Sequence, residues 1–463
     1  MFEHSRKIQF YVLAVAFLGL TAVQGCKQTK PDEEPTASEA SEGSEKADEV
    51  KKKAEGETED SSRVEEKGGD FSAPVPKNWT AEAKKGRIDF KSPDGNVAMY
   101  LLSVETKDLK KAIEQGWKEV GLERELKVKN EQTPPSGEGF EKTLVLNYEL
   151  SEEQRVGQAV ARLRKGTVYL TLIDGDLAPI QKRASQLQII ASGYEVAGVE
   201  KTDLSEKKAK KFDEAKQKKL GAFAQKQMKL FGYPGMSVAV VQDGEVVWKD
   251  GFGVRKKGGS EKVTPKTLMM IGSVTKSMTT MLMAKAVDDG KMEWETRAKE
   301  ILPRFKVKDP KLTDKITMQH LVCACTGVPR RDFEMLFRSE EMTAEKTIES
   351  IQDFETFTDF GEAFQYSNQM VAVGGYVTAK AYGGEWGNLH EKYVSLMDDR
   401  VFGPIGMEST LINFEDAIEV ENRAEPHELS FEGEYEPADL AVERFAMPVA
   451  PAGAVWSTAE DMA

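Results

Sequence analysis

The stretch Met270-Ile271-Gly272-Ser273-Val274-Thr275-Lys276 sets a serine three residues ahead of a lysine, at the point where an apolar run of helical period begins. Met278, Met281, Leu282, Ala286 and Val287 recur at the spacing of one helix face. Residues at i and i+3 lie one above the other on a helix, so Ser273 and Lys276 share a face. A serine hydroxyl is a weak nucleophile near neutral pH and needs a base within hydrogen-bond reach. A lysine can be that base if burial or a nearby cation lowers its pKa. A helix start adds the positive end of the dipole where negative charge develops during attack. The spacing alone is weak, because the chain holds a second Ser-x-x-Lys, Ser205 to Lys208, in a lysine-rich segment where both side chains are expected in solvent.

What singles out Ser273 is the order of blocks around it. Tyr233-Pro234-Gly235-Met236-Ser237 leads through Asp243-Gly244 to Gly251-Phe252-Gly253-Val254, and Val263-Thr264-Pro265-Lys266-Thr267 precedes the Ser273 stretch. Thr317-Met318-Gln319-His320-Leu321-Val322, Thr326-Gly327-Val328-Pro329 and Phe364-Gln365-Tyr366-Ser367-Asn368 follow. Val401-Phe402-Gly403-Pro404-Ile405-Gly406-Met407 and Pro451-Ala452-Gly453-Ala454-Val455-Trp456-Ser457-Thr458 complete the series.

From about residue 232 to the end, this order resembles the serine β-lactamase and penicillin-binding-protein-like hydrolases, in the branch of class C β-lactamases, D-alanyl-D-alanine carboxypeptidases and related esterases. The resemblance implies an α+β domain over 200–463, an antiparallel sheet flanked by helices plus a helical subdomain. It implies that Ser273 is the nucleophile and that Tyr366, in the chain's one Tyr-x-Asn, lies beside it. Tyr366 would act as general base in acylation and later protonate the leaving group. Lys276 would keep the phenolate populated or take the proton itself. Asn368 would orient Lys276 and the substrate amide. No metal or organic cofactor is implied. The family's third motif, Lys/His-Thr/Ser-Gly, is not found downstream of Tyr366. It and the last strands and helix of the sheet would be absent from a chain ending at Ala463, which makes the domain a truncated one, or a degenerate relative serving as a non-catalytic surface-tethered binding protein.

Cys323-Ala324-Cys325 replaces the family's run before Thr326-Gly327. Two cysteines one residue apart are badly placed for a mutual disulfide, so buried free thiols are expected. His320 matches a structural histidine of the family.

The start of the chain reads as an export signal. Arg6 and Lys7 precede an apolar stretch from Phe10 to Val23, too short to span a membrane comfortably. Val23-Gln24-Gly25-Cys26 looks like a bacterial lipobox, giving a signal peptide over 1–25 and lipidation of Cys26. Lys27 after the cysteine is similar to lipoproteins sorted to the outer membrane, periplasmic side, of Gram-negative bacteria. Residues 26–70 are poor in apolar residues and rich in Glu, Lys and Ser, the composition of a disordered acidic tether. Residues 71–195 alternate strand and helix patterns: Val97–Val104 as a strand, Asp108–Val120 as a helix and Pro179–Ile190 as a closing helix. They read as a small α+β sandwich without a nucleophile or metal cluster, a spacer or a module that docks a protein partner. Thr202–Leu230 reads as an amphipathic helix with Phe212, Leu220, Phe223 and Leu230 on its apolar side.

The formal net charge of -14 over 463 residues, with 31% charged, describes an acidic protein and argues against a nucleic-acid partner. The substrate class implied is a small molecule or peptide: a D-alanyl peptide, a β-lactam or a small ester.

Overall fold

The computed structural model describes residues 62–463 except 123–124, 138, 152–153, 201–206, 333–337, 339–340 and 431–433. Cys26, the signal peptide, most of the expected tether and Ser205 therefore lie outside the described residues. The chain divides into two compact units, up to Lys207 and from Lys208. Both mix helices with antiparallel strands, an α+β fold.

The first unit is a seven-stranded antiparallel sheet. Its strands are β3 (Thr80–Lys84), β4 (Arg87–Lys91), β5 (Val97–Glu105), β6 (Val128–Gln132), β7 (Lys142–Tyr148), β8 (Arg155–Arg164) and β9 (Thr167–Asp176), in the order β3-β4-β5-β9-β8-β7-β6. Alternation sends Met99 and Leu101 of β5 to one apolar cluster and Leu102 and Val104 to another. Helix α1 (Leu109–Glu119) covers the second face with Ile113 and Trp117, and its N-terminus is capped by the Asp108 carboxylate. Helices α2 (Leu177–Lys182) and α3 (Ala184–Ser192) cover the first with Ile180, Leu187 and Ile190, so a break at Arg183 divides what the sequence suggests is one helix.

The expected tether extends too far. Strand β1 (Arg63–Glu65) pairs with β2 (Phe71–Pro74), and β2 also pairs with β10 (Glu195–Val196). The Glu66 carboxylate accepts the backbone N–H groups of Asp70 and Gly86, which ties this polar segment to the sheet, and Val64 packs partly buried against the first apolar cluster. Its charge-rich composition conceals the pairing.

In the second unit, α4 (Glu214–Phe231) starts well after Thr202, where Asp213 caps it, and ends at Gly232 in the left-handed conformation. Its buried residues are Gly221, Ala224 and Met228. Phe223 and Leu230 are 57% and 68% exposed, so the apolar stripe expected for this helix is corrected. Small residues face inward because Gly221 packs against Phe252. Strands β11 (Gly235–Gln242) and β12 (Glu245–Gly253) form a hairpin whose two turn residues, Asp243 and Gly244, both have positive φ.

Strand β13 (Met269–Met270), a 3₁₀ turn over Gly272–Val274 and α5 (Thr275–Asp288) follow. Helix α5 buries Thr275, Met278, Thr279, Leu282, Met283 and Ala286. Met281 is 49% exposed, so it is Met283 that faces the core. After α6 (Met318–Val322) comes α7 (Asn368–Ala381), which is buried from Gln369 to Ala379 and forms the centre of the main core. Tyr393, on α8 (Leu389–Met397), donates to or accepts from Thr279 at 2.8 Å. The short helix α9 (Ala450–Gly453) packs against α5 and α7, and β14 (Trp456–Ser457) pairs with β13. Among the described residues, no helix is long and apolar enough to cross a membrane.

Candidate active site

Three segments meet at Ser273. The first is the 3₁₀ turn that carries it, fixed on one side by the β13–β14 pairing and by Ile271 N–H donating to Val455 O at 2.9 Å. Ser273 sits just ahead of α5 rather than inside it, and its side chain is exposed. Lys276 is the second residue of α5 and is half-buried. Its Nζ lies 3.1 Å from Ser273 Oγ and donates to Ala452 O at 2.5 Å. The turn that supplies Ala452 is held by Thr279 Oγ1, which donates to Pro451 O at 2.7 Å.

The second segment leads into α7. Ser367 caps this helix, accepting from Met370 N–H and donating to Pro329 O at 3.1 Å. Tyr366, one residue earlier, is thereby aimed at the serine, and its hydroxyl donates to Ser273 Oγ at 2.7 Å. Lys276 Nζ is also 4.8 Å from the Tyr366 ring centroid.

The third segment, Arg330 to Asp332, was not legible in the sequence. Asn368 Nδ2 donates to Asp332 Oδ1 at 3.0 Å, where the resemblance implies a contact with Lys276. That expectation is corrected: the lysine is held by the Ala452 carbonyl, and the asparagine by a carboxylate from a distant loop. Arg330 Nε donates to the same carboxylate at 2.7 Å, and its guanidinium carbon stands 5.3 Å from the Tyr366 ring centroid.

Burial is the largest influence on Lys276 and holds its ammonium below the ordinary lysine value. The positive charge of Arg330 acts in the same direction, while Tyr366 and Asp332 oppose it. The neutral amine that a base requires is therefore more accessible here than in solvent.

The expectation of free thiols at Cys323 and Cys325 is overturned. The two residues form a disulfide with their Cα atoms 5.3 Å apart. Ala324 between them has φ 55°, a left-handed conformation that folds the backbone tightly enough to bring the sulfurs together. His320 closes a capping box at the start of α6, its Nδ1 accepting from Thr317 N–H at 3.1 Å. His427 Nε2 accepts from Lys257 N–H and His390 meets Asn413, so both have structural partners.

A serine hydroxyl within reach of a partly buried amine and a phenol, at the start of a helix, is the arrangement of a serine hydrolase. Residues 220–463, more than half of the chain, match the family model Beta-lactamase, and the chain belongs to that family. Among curated proteins, it is 30% identical over 191 residues to Unguisins hydrolase ungD' of Aspergillus campestris, covering 40% of this chain and 34% of that protein. It is 28% identical over 180 residues to a beta-lactamase of Pseudomonas fluorescens, covering 39% and 46%. The chain thus spans between a third and a half of the length of these relatives. Among solved structures, the penicillin-binding protein homologue of Pyrococcus abyssi matches with a TM-score of 0.46 at 24% identity, over 53% of this chain and 54% of that one. D-alanine carboxypeptidase AmpC of Burkholderia cenocepacia matches with a TM-score of 0.41 at 26% identity, over 53% and 62%.

Proposed function

We propose that this chain is a lipid-anchored, exported serine hydrolase that forms an acyl-enzyme at Ser273. The observation that carries the reading is the convergence of Lys276 Nζ and Tyr366 OH on Ser273 Oγ, at 3.1 and 2.7 Å. In the proposed cycle the neutral Lys276 amine takes the Ser273 proton as Oγ attacks an amide or ester carbonyl. The helix start faces the oxygen that becomes negative. Tyr366 passes a proton to the leaving group, and water later resolves the acyl-enzyme by the reverse path. Asp332 holds the Asn368 amide by its nitrogen, which leaves the asparagine oxygen as an acceptor for a substrate N–H.

The substrate classes are a D-alanyl peptide, a β-lactam or a small ester. Two exposed apolar side chains, Val274 next to the serine and Phe364 with its ring 6.4 Å from that of Tyr366, favour an acyl group with an apolar portion. Labelling with a fluorescent penicillin and with a fluorophosphonate tests the reading. Both reagents are expected to mark the wild type and not Ser273→Ala; labelling that survives the substitution removes Ser273 from the chemistry.

Anchoring rests on the apolar run meeting Cys26, and implies a bacterial envelope location, on the periplasmic side of the outer membrane in a Gram-negative cell. Fatty-acid incorporation into the expressed chain, lost in Cys26→Ser, is the outcome this predicts. Incorporation by the variant at the wild-type level would refute it. The first unit is read as a folded spacer or a module that docks a protein partner; if it docks one, its deletion abolishes partner capture while leaving acylation at Ser273 intact.

A further inference from the structure

The turn closed by the Cys323–Cys325 disulfide is also the surface on which the Tyr366 segment is built. Three backbone hydrogen bonds join them: Phe357 N–H to Gly327 O at 2.8 Å, Gly361 N–H to Cys325 O at 2.8 Å, and Gln365 N–H to Ala324 O at 2.6 Å. The last is one residue from Tyr366, and Ser367 on its other side is tied to Pro329 of the same loop at 3.1 Å. Tyr366 is thus gripped on both flanks by residues of one short loop. The acceptor nearest to it, the Ala324 carbonyl, belongs to a residue at φ 55°, where a side chain with a Cβ is disfavoured. The disulfide spans this residue and holds it there. Cys323 is exposed, so the bond is open to exchange.

We infer that the Cys323–Cys325 disulfide positions Tyr366 against Ser273 and that a dithiol switches the site off by reducing it. The inference rests on the reading of Tyr366 as a proton-transfer group. In the step itself, a reductant thiolate attacks Cys323 Sγ and Cys325 leaves as a thiolate. The reductant's second thiol then displaces Cys323, so the dithiol is oxidised to its own disulfide, two electrons pass to the protein, and both cysteines end as thiols. Freed, Ala324 relaxes toward negative φ and its carbonyl turns away from Gln365 N–H. Tyr366 loses one of its two anchors and its hydrogen bond to Ser273.

The test compares the oxidised chain, the chain in dithiothreitol, Cys323→Ser/Cys325→Ser, and that double variant with Ala324→Gly added. Two quantities are read: the rate of acylation by a fluorophosphonate, with its dependence on reagent concentration, and hydrogen exchange of the Gln365 amide. Dithiothreitol is expected to slow maximal acylation roughly 100-fold, the scale of an ångström-level misplacement, with half-saturation unchanged. It should speed Gln365 exchange, and removal with reoxidation should restore both. Cys26 remains in the double variant, which should be slow with or without reductant. Glycine adopts positive φ without penalty, so Ala324→Gly should recover much of the lost rate in the absence of any disulfide. Equal rates and equal exchange in the oxidised and reduced chains would overturn the inference, as would a rate loss with Gln365 exchange unchanged. If the oxidised chain is not acylated at all, the hydrolase reading fails, and Gln365 exchange still decides whether the disulfide holds this segment.

Discussion

The Tyr366 hydroxyl donates to Ser273 Oγ at 2.7 Å across 93 positions of sequence. Such a contact is specified by the packing of α7 against α5, not by local sequence. If the phenol carries a proton in catalysis, Tyr366→Phe keeps the ring and its contact with Lys276 and loses only the transfer. Acylation of the variant is expected to fall by roughly 10²–10⁴-fold with substrate affinity little changed. Stopped-flow acylation over a range of substrate concentrations separates the two effects.

Lys276 acts in this account as a neutral base, and burial holds its pKa below the ordinary value of 10.5. The reactive form is the deprotonated one. Acylation is therefore expected to rise with pH and to level off above an inflection lower than 10.5. Lys276→Arg, which does not deprotonate in this range, should remove the inflection along with most of the rate. A pH–rate profile that is flat in the wild type would remove the lysine from the role of base.

Asp332 fixes the Asn368 amide by accepting from its nitrogen. Asp332→Ala frees the amide to rotate and leaves Arg330 without its partner. Loss of a hydrogen bond to a charged group is worth about 1.5–3 kcal/mol, so KM for an amide substrate should rise roughly 10- to 100-fold. An ester lacking the amide N–H should be much less affected. Steady-state kinetics with a matched amide and ester pair checks this.

Glu443 is a stability switch away from the site. Burial pushes its carboxyl up to about 7, the charge of Glu425 acts in the same sense, and Arg423 opposes them. Its Oε2 is buried without a hydrogen-bond partner among the described residues. A carboxyl whose folded-state pKa is raised contributes stability that is complete below the unfolded value near 4.5 and is lost as pH rises through about 7. Glu443→Gln should remove this decline, which amounts to roughly 3 kcal/mol at most. Urea unfolding of the two proteins at pH 4.5 and pH 8 measures the difference.

The sequence made the nucleophile and its helix legible because Ser273 and Lys276 are neighbours at i and i+3, where local geometry decides contact. The hairpin at Asp243-Gly244 was legible for the same reason. Tyr366 was found through family resemblance, since no spacing rule connects it to Ser273. Asp332 left no sequence signal: its role exists only because the loop after Pro329 folds back onto the start of α7. The cysteine pair misled because disulfide closure depended on a left-handed Ala324, which residue type does not announce. Helix α4 misled through its large apolar residues: the buried face uses Gly221 and Ala224, and Phe223 and Leu230 remain in solvent. In the first unit the long alternating strands were readable, but β1 and β6 are too polar to stand out, with Val128 49% exposed.

Peptide mapping by mass spectrometry after fluorophosphonate treatment tests the central claim most directly. The account predicts one covalent adduct, on the hydroxyl of Ser273, absent from Ser273→Ala and strongly diminished in Lys276→Arg and Tyr366→Phe. An adduct on any other residue, or one retained at full yield in Ser273→Ala, would contradict it.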